Sequence, residues 1–106
     1  MNDLIAKQLN LADLVSVQDG AVISREIIKK SKGTVTVFAF DKGQGLSEHT
    51  APFDAMVYCL DGEMEVKISG EPTILKVGEM IIMPADKPHS VSALSPFKML
   101  LVMIRE

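Results

Sequence analysis

The chain contains two imidazoles, His49 and His89, each reached from a glycine. His49 ends the run G-Q-G-L-S-E-H that starts at Gly43, and His89 ends G-E-M-I-I-M-P-A-D-K-P-H, which starts at Gly78. A neutral imidazole carries one N–H donor and one lone pair, so a converging pair can hydrogen-bond a small ligand or take part in holding a divalent first-row metal. Other groups that could join them are poorly placed. Glu48 and Asp54 have the wrong strand parity, and Asp86 stands at a turn. Cys59, the sole cysteine, shares parity with Ala55 and Val57 and reads as a small buried hydrophobe expected to line the same interior, not as a nucleophile, because no base stands beside it in sequence. The seven methionines read as packing residues and not as a copper site.

Such side chains need strands to bring them together, and strands are what the sequence offers. The stretch 21–30 is rich in β-branched residues, and T-V-T-V-F-A-F over 34–40 alternates cleanly. Residues 55–60 and 63–68 form a hairpin about Asp61-Gly62, a pair that favours the positive backbone angles of a tight turn. Shorter strands are expected over 73–75, 80–83 and 90–93. The run F-K-M-L-L-V-M-I over 97–104 is apolar at nearly every position, so it is expected to be covered on both faces. Strands at this spacing, punctuated by turns, read as a sandwich or barrel. Residues 3–17 form a helical or extended arm of unclean period.

The two glycine-to-histidine stretches resemble the paired signature motifs of the cupin family. Gly43, His49 and Gly62 fall on the first motif, and Gly78, Pro84 and His89 on the second. The first motif's second histidine and its glutamate fall on Ala51 and Ala55. The second motif's internal glycine and closing asparagine fall on Asp86 and Ala93. The resemblance implies an all-β fold in one domain, a cupin-type double-stranded β-helix or jelly-roll barrel. It divides the chain into an N-terminal arm at 1–20, a candidate for a dimer interface, and a barrel at 21–106. In metal-bearing cupins, histidines and a glutamate at these positions hold Mn, Fe, Ni, Cu or Zn. Here only His49 and His89 remain, so the resemblance implies at most a weakly bound divalent transition metal.

Composition narrows the partners. Apolar residues make up 47% and charged residues 24%, the balance of a globular domain, and the net charge of −3 with no basic run disfavours nucleic acid and anionic membranes. No apolar stretch reaches the roughly 18 residues of a spanning helix, and the N-terminus lacks the pattern of a signal peptide. A single cysteine excludes an internal disulfide and fits a cytoplasmic setting.

The expected function is a binding module for a small organic molecule, its pocket lined by His49, Ala51, Ala55, Val57, Cys59, His89, Val91 and Ala93. The alternative is a metal-dependent cupin enzyme, of dioxygenase or isomerase type, working from the His49–His89 pair; a purely structural role in a larger assembly is the third reading. No catalytic residue is assigned. The arm and the two-sided strand carry more apolar surface than a small barrel covers, which points to a homodimer.

Overall fold

The computed structural model describes residues 3–105; positions 1, 2 and 106, which fall within the arm and barrel ranges given above, lie outside the described residues. Nine strands are described: β1 (Val22–Lys30), β2 (Gly33–Phe40), β3 (Gly45–His49), β4 (Ala55–Asp61), β5 (Glu63–Ile68), β6 (Glu71–Lys76), β7 (Met80–Met83), β8 (His89–Ala93) and β9 (Phe97–Ile104). They form a five-stranded sheet in the order β1-β2-β9-β4-β7 and a four-stranded sheet in the order β3-β8-β5-β6. All pairings are antiparallel. Two such sheets facing each other make the jelly-roll barrel that the strand spacing implies. No helix among the described residues is long and apolar enough to cross a membrane.

The β4–β5 hairpin turns at Gly62, whose φ is +75°. A Cβ there would lie 2.2 Å from the Pro96 carbonyl oxygen and 3.0 Å from the Phe97 Cβ, so both backbone angle and space require glycine. The Phe40 and Phe97 rings stack 4.5 Å apart and share the barrel core with Met64 and Cys59, all buried.

Strand β9 shows why a continuous apolar run was needed. Its inward residues Phe97, Met99 and Leu101 are buried in the barrel core. Its outward Leu100 packs against a second cluster of Val15, Val37 and Ala39. That cluster forms because the arm lies on the outer face of the five-stranded sheet. A 3₁₀ turn at Leu11–Leu14, capped by the Asn10 side chain, leads into Val15, which is 4% exposed. Lys98 anchors the arm by donating from Nζ to the Ala12 carbonyl, 2.7 Å away. The two-sidedness of β9 is thus partly an intramolecular matter.

Candidate functional site

Strands β3 and β8 place the histidines. His49 ends β3 and His89 begins β8, and the two are direct partners across the ladder, beside an irregularity between Leu46 and His49. His89 is buried at 3% exposure, while His49 is exposed at the rim. Their rings meet edge to face, with centroids 4.4 Å apart and Nε2 atoms 3.1 Å apart.

The remaining ring nitrogens fix the tautomers. His49 Nδ1 lies 2.8 Å from the Ser47 carbonyl oxygen, and His89 Nδ1 lies 3.2 Å from that of Lys87. A carbonyl oxygen only accepts, so each Nδ1 carries the hydrogen and donates it. In the neutral rings both Nε2 atoms then present bare lone pairs to each other. That contact is attractive only with a proton or another electron-pair acceptor between them. Burial, and then repulsion from His49, push the His89 pKa below the ordinary histidine value; the bond to the Lys87 carbonyl opposes the shift.

A cavity of about 40 Å³ lies against the two rings. Six of the eight residues expected at the pocket wall it: His49, Ala51, Ala55, Val57, His89 and Val91. Cys59 and Ala93 are buried in the same core but do not line this cavity. The Cys59 thiol instead donates toward the carbonyls of Gly62 and Asp61, at 3.4 and 3.6 Å, and burial raises its pKa, which keeps it inert as a nucleophile. The remaining walls are Leu46, Met83, Met99, Leu101 and Met103, none of which the sequence reading singled out. The available signal was parity: 99, 101 and 103 share one face of β9, but with both faces apolar nothing marked which face was inward.

Of the four ligand positions in the family motifs, two carry donors at the cavity, His49 and His89, which meet at 3.1 Å. Ala51 and Ala55 sit on the cavity wall without a donor atom. The carboxylate of Asp54 accepts from the Ala85 N–H at 2.8 Å, and Glu48 is exposed. Among the described residues no group of three or more His, Cys, Asp and Glu could hold a metal ion. The residues present do not fit a divalent site of three or four histidine and carboxylate ligands.

Fold and motif positions together define a cupin. The cupin-domain family model matches residues 36–104, and the chain belongs to that family. Among solved structures, a conserved protein of unknown function from Streptococcus pyogenes is 37% identical, with TM-score 0.94 over 100% of this chain and 93% of that one. A cupin 2 conserved barrel domain protein from Leptotrichia buccalis is 40% identical with TM-score 0.88; the match spans 92% of this chain but 47% of that one. A cupin superfamily protein from Desulfitobacterium hafniense, at 24% identity and TM-score 0.90 over 95% and 93% of the two chains, shares the fold. No protein of curated function matches the sequence.

Proposed function

We propose that the chain is a non-catalytic binding module that seats a small electron-pair acceptor between His49 and His89. One observation carries this reading: two imidazoles with their Nδ1 hydrogens engaged by backbone carbonyls and their Nε2 atoms 3.1 Å apart. Such a pair has lone pairs to give. Small-molecule pockets commonly enclose about 300–1,000 Å³, and this cavity holds about 40 Å³. A small organic molecule therefore enters only through one group, such as an acidic O–H, with its remainder at the rim beside the exposed His49. The absent donors at Ala51 and Ala55 count against the metal-dependent enzyme.

The test is nitrogen NMR of the two rings at neutral pH, alone and with a panel of small carboxylic acids. Both rings are expected as Nδ1–H tautomers, and acids that bind are expected to shift the Nε2 resonances, with the response lost in His89→Gln. Rings found as Nε2–H tautomers overturn the reading.

We further propose that two copies pair through the outer face of the five-stranded sheet. The register aligns an apolar row across it, Ile28–Val35–Val102–Met56–Ile82, one residue from each strand. Ile28 and Ile82, at its two ends, are 46% and 55% exposed, and Ile104 beside it is 60% exposed. The arm covers the neighbouring part of this face around Val37 and Ala39. An occupant of matching shape and no charge suits it, and a second copy of the same row meets that need.

A further inference from the structure

We infer that the cleft between the β1–β2 turn and the end of β9 is an anion site, which takes the phosphate group of a small soluble molecule on Arg105, Lys32 and Ser31. The site shares no residue with the histidine cavity and goes beyond the binding-module reading. Three segments far apart in sequence meet there. Ser31 and Lys32 form the turn that joins β1 to β2, Phe53 lies in the loop between β3 and β4, and Arg105 follows β9. The backbone N–H of Arg105 donates to the Lys32 carbonyl across 2.6 Å, which ties two of these segments together. The Arg105 guanidinium lies over the half-buried Phe53 ring, 5.4 Å from its centroid. With Pro52 these residues line a cleft of about 590 Å³, the size of a small-molecule pocket.

Two properties of the cleft select the ligand. The first is charge. Elsewhere, cations that line a cleft share it with acids: Arg25, Lys29 and Lys30 with Asp3 and Glu26, and Lys67 with Glu48. Among the described residues no carboxylate lines the cleft at Arg105, and neither Lys32 nor Arg105 has an ion-pair partner. Lys29 and Lys30 stand just before the turn, so a chain of net charge −3 gathers a positive field at this one corner. The second property is the donor set. A guanidinium is a planar fork, an ammonium is a mobile point charge, and the serine hydroxyl adds a third donor. A phosphate group has enough oxygens to accept from all three at once. Contact with Phe53 uses the face of the guanidinium and leaves its N–H edge for the ligand. The net negative charge disfavours an anionic bilayer, so the phosphate belongs to a soluble molecule.

The experiment is titration of the full chain with phenyl phosphate at low, constant ionic strength, read by the NMR signals of the Arg105 side-chain N–H and the Phe53 ring. One saturable event that shifts both is expected. Lys32→Gln and Arg105→Gln are each expected to weaken it about fivefold, a modest change because both side chains are exposed. Arg105→Lys should restore only part of the loss, since it keeps the charge without the fork. Lys29→Gln removes a charge outside this cleft and should leave the affinity nearly unchanged. All of these side chains are exposed, and circular dichroism checks that each variant folds. A response that chloride reproduces at equal ionic strength, or that Lys29→Gln weakens as much as Lys32→Gln does, overturns the inference, because a general positive field then explains it. Binding that appears only in Glu106→Gln overturns it too, since the chain's own carboxylate then fills the cleft. Retention on phosphatidic acid vesicles with no response to phenyl phosphate is the third such result.

Discussion

The backbone N–H of Asp86 donates to the carbonyl of Ala51 across 2.7 Å, tying the turn after β7 to the cavity wall after β3. The bond joins the two motif regions outside any ladder and holds Ala51 beside His49. Asp86 makes it with φ at +64°, the left-handed region, at the position where the family motif has glycine.

Asp86 is therefore open to glycine and closed to branched residues. Aspartate tolerates left-handed angles better than most side chains, whereas a β-branched residue does not. Asp86→Gly is expected to leave stability within about 0.5 kcal/mol of the parent, and Asp86→Val to lose about 1–2 kcal/mol. Urea unfolding of the three proteins checks this; equal stability of the valine variant would show that the turn relaxes.

Much of the barrel was legible in the sequence, because most strands carry their own signal. The alternation of 34–40, the Asp61-Gly62 turn and the stop at Pro84 all act locally: β2 covers the first, β4 and β5 flank Gly62, and β7 ends just before Pro84. Less legible was anything set by long-range register. Residue 51 was placed by strand parity, but β3 ends at His49, and Ala51 reaches the cavity wall beyond the strand. Cys59 and Ala93 have the parity of pocket residues, yet they are buried in the core without lining the cavity. The methionines could not be assigned, since a flexible apolar side chain has no partner-specific pattern in sequence. Nor did the apolar excess of β9 reveal that the chain's own arm covers Leu100.

Acid should destabilise the fold through His89. Its folded pKa lies below the unfolded value of about 6.5, so below that pH the unfolded chain binds a proton that the folded chain resists. The contribution is complete above the unfolded pKa and is lost as the pH falls toward the folded one. Denaturation midpoints measured from pH 8 down to pH 5 are expected to drop, and His89→Gln is expected to flatten the drop. A slope identical in both proteins would remove His89 as its source.

The apolar row on the outer sheet face predicts a dimer in solution. Light scattering is expected to give twice the 11.5 kDa chain mass at micromolar concentration. Ile82→Lys with Ile104→Lys should yield a folded monomer, because both positions are more than half exposed in the single chain. A monomeric parent contradicts the proposal outright. A dimer that survives both lysines moves the contact elsewhere, for instance to the arm, where Ile5 and Leu9 are also exposed.

Restoring the two absent donors should convert the site to a divalent one. Ala51 and Ala55 wall the same cavity as His49 and His89, so Ala51→His with Ala55→Glu places three imidazoles and a carboxylate around one point. Four such ligands, one of them anionic, match what Zn(II) or Mn(II) requires and supply the charge that the parent cavity lacks. The added side chains exceed a cavity of about 40 Å³. Overpacking should therefore make the metal-free variant less stable by about 1–3 kcal/mol. Bound metal offsets this loss in proportion to its affinity. Metal analysis of parent and variant, prepared side by side and washed with chelator, is expected to find stoichiometric divalent metal in the variant alone. Thermal unfolding with and without Zn(II) supplies the second reading: the variant's midpoint should rise with metal, and the parent's should stay. A folded variant that holds no divalent metal would mean that the side chains at 51 and 55 do not converge with the histidines. Divalent metal held equally by the parent would mean that the neutral walls of its cavity do not discriminate by charge.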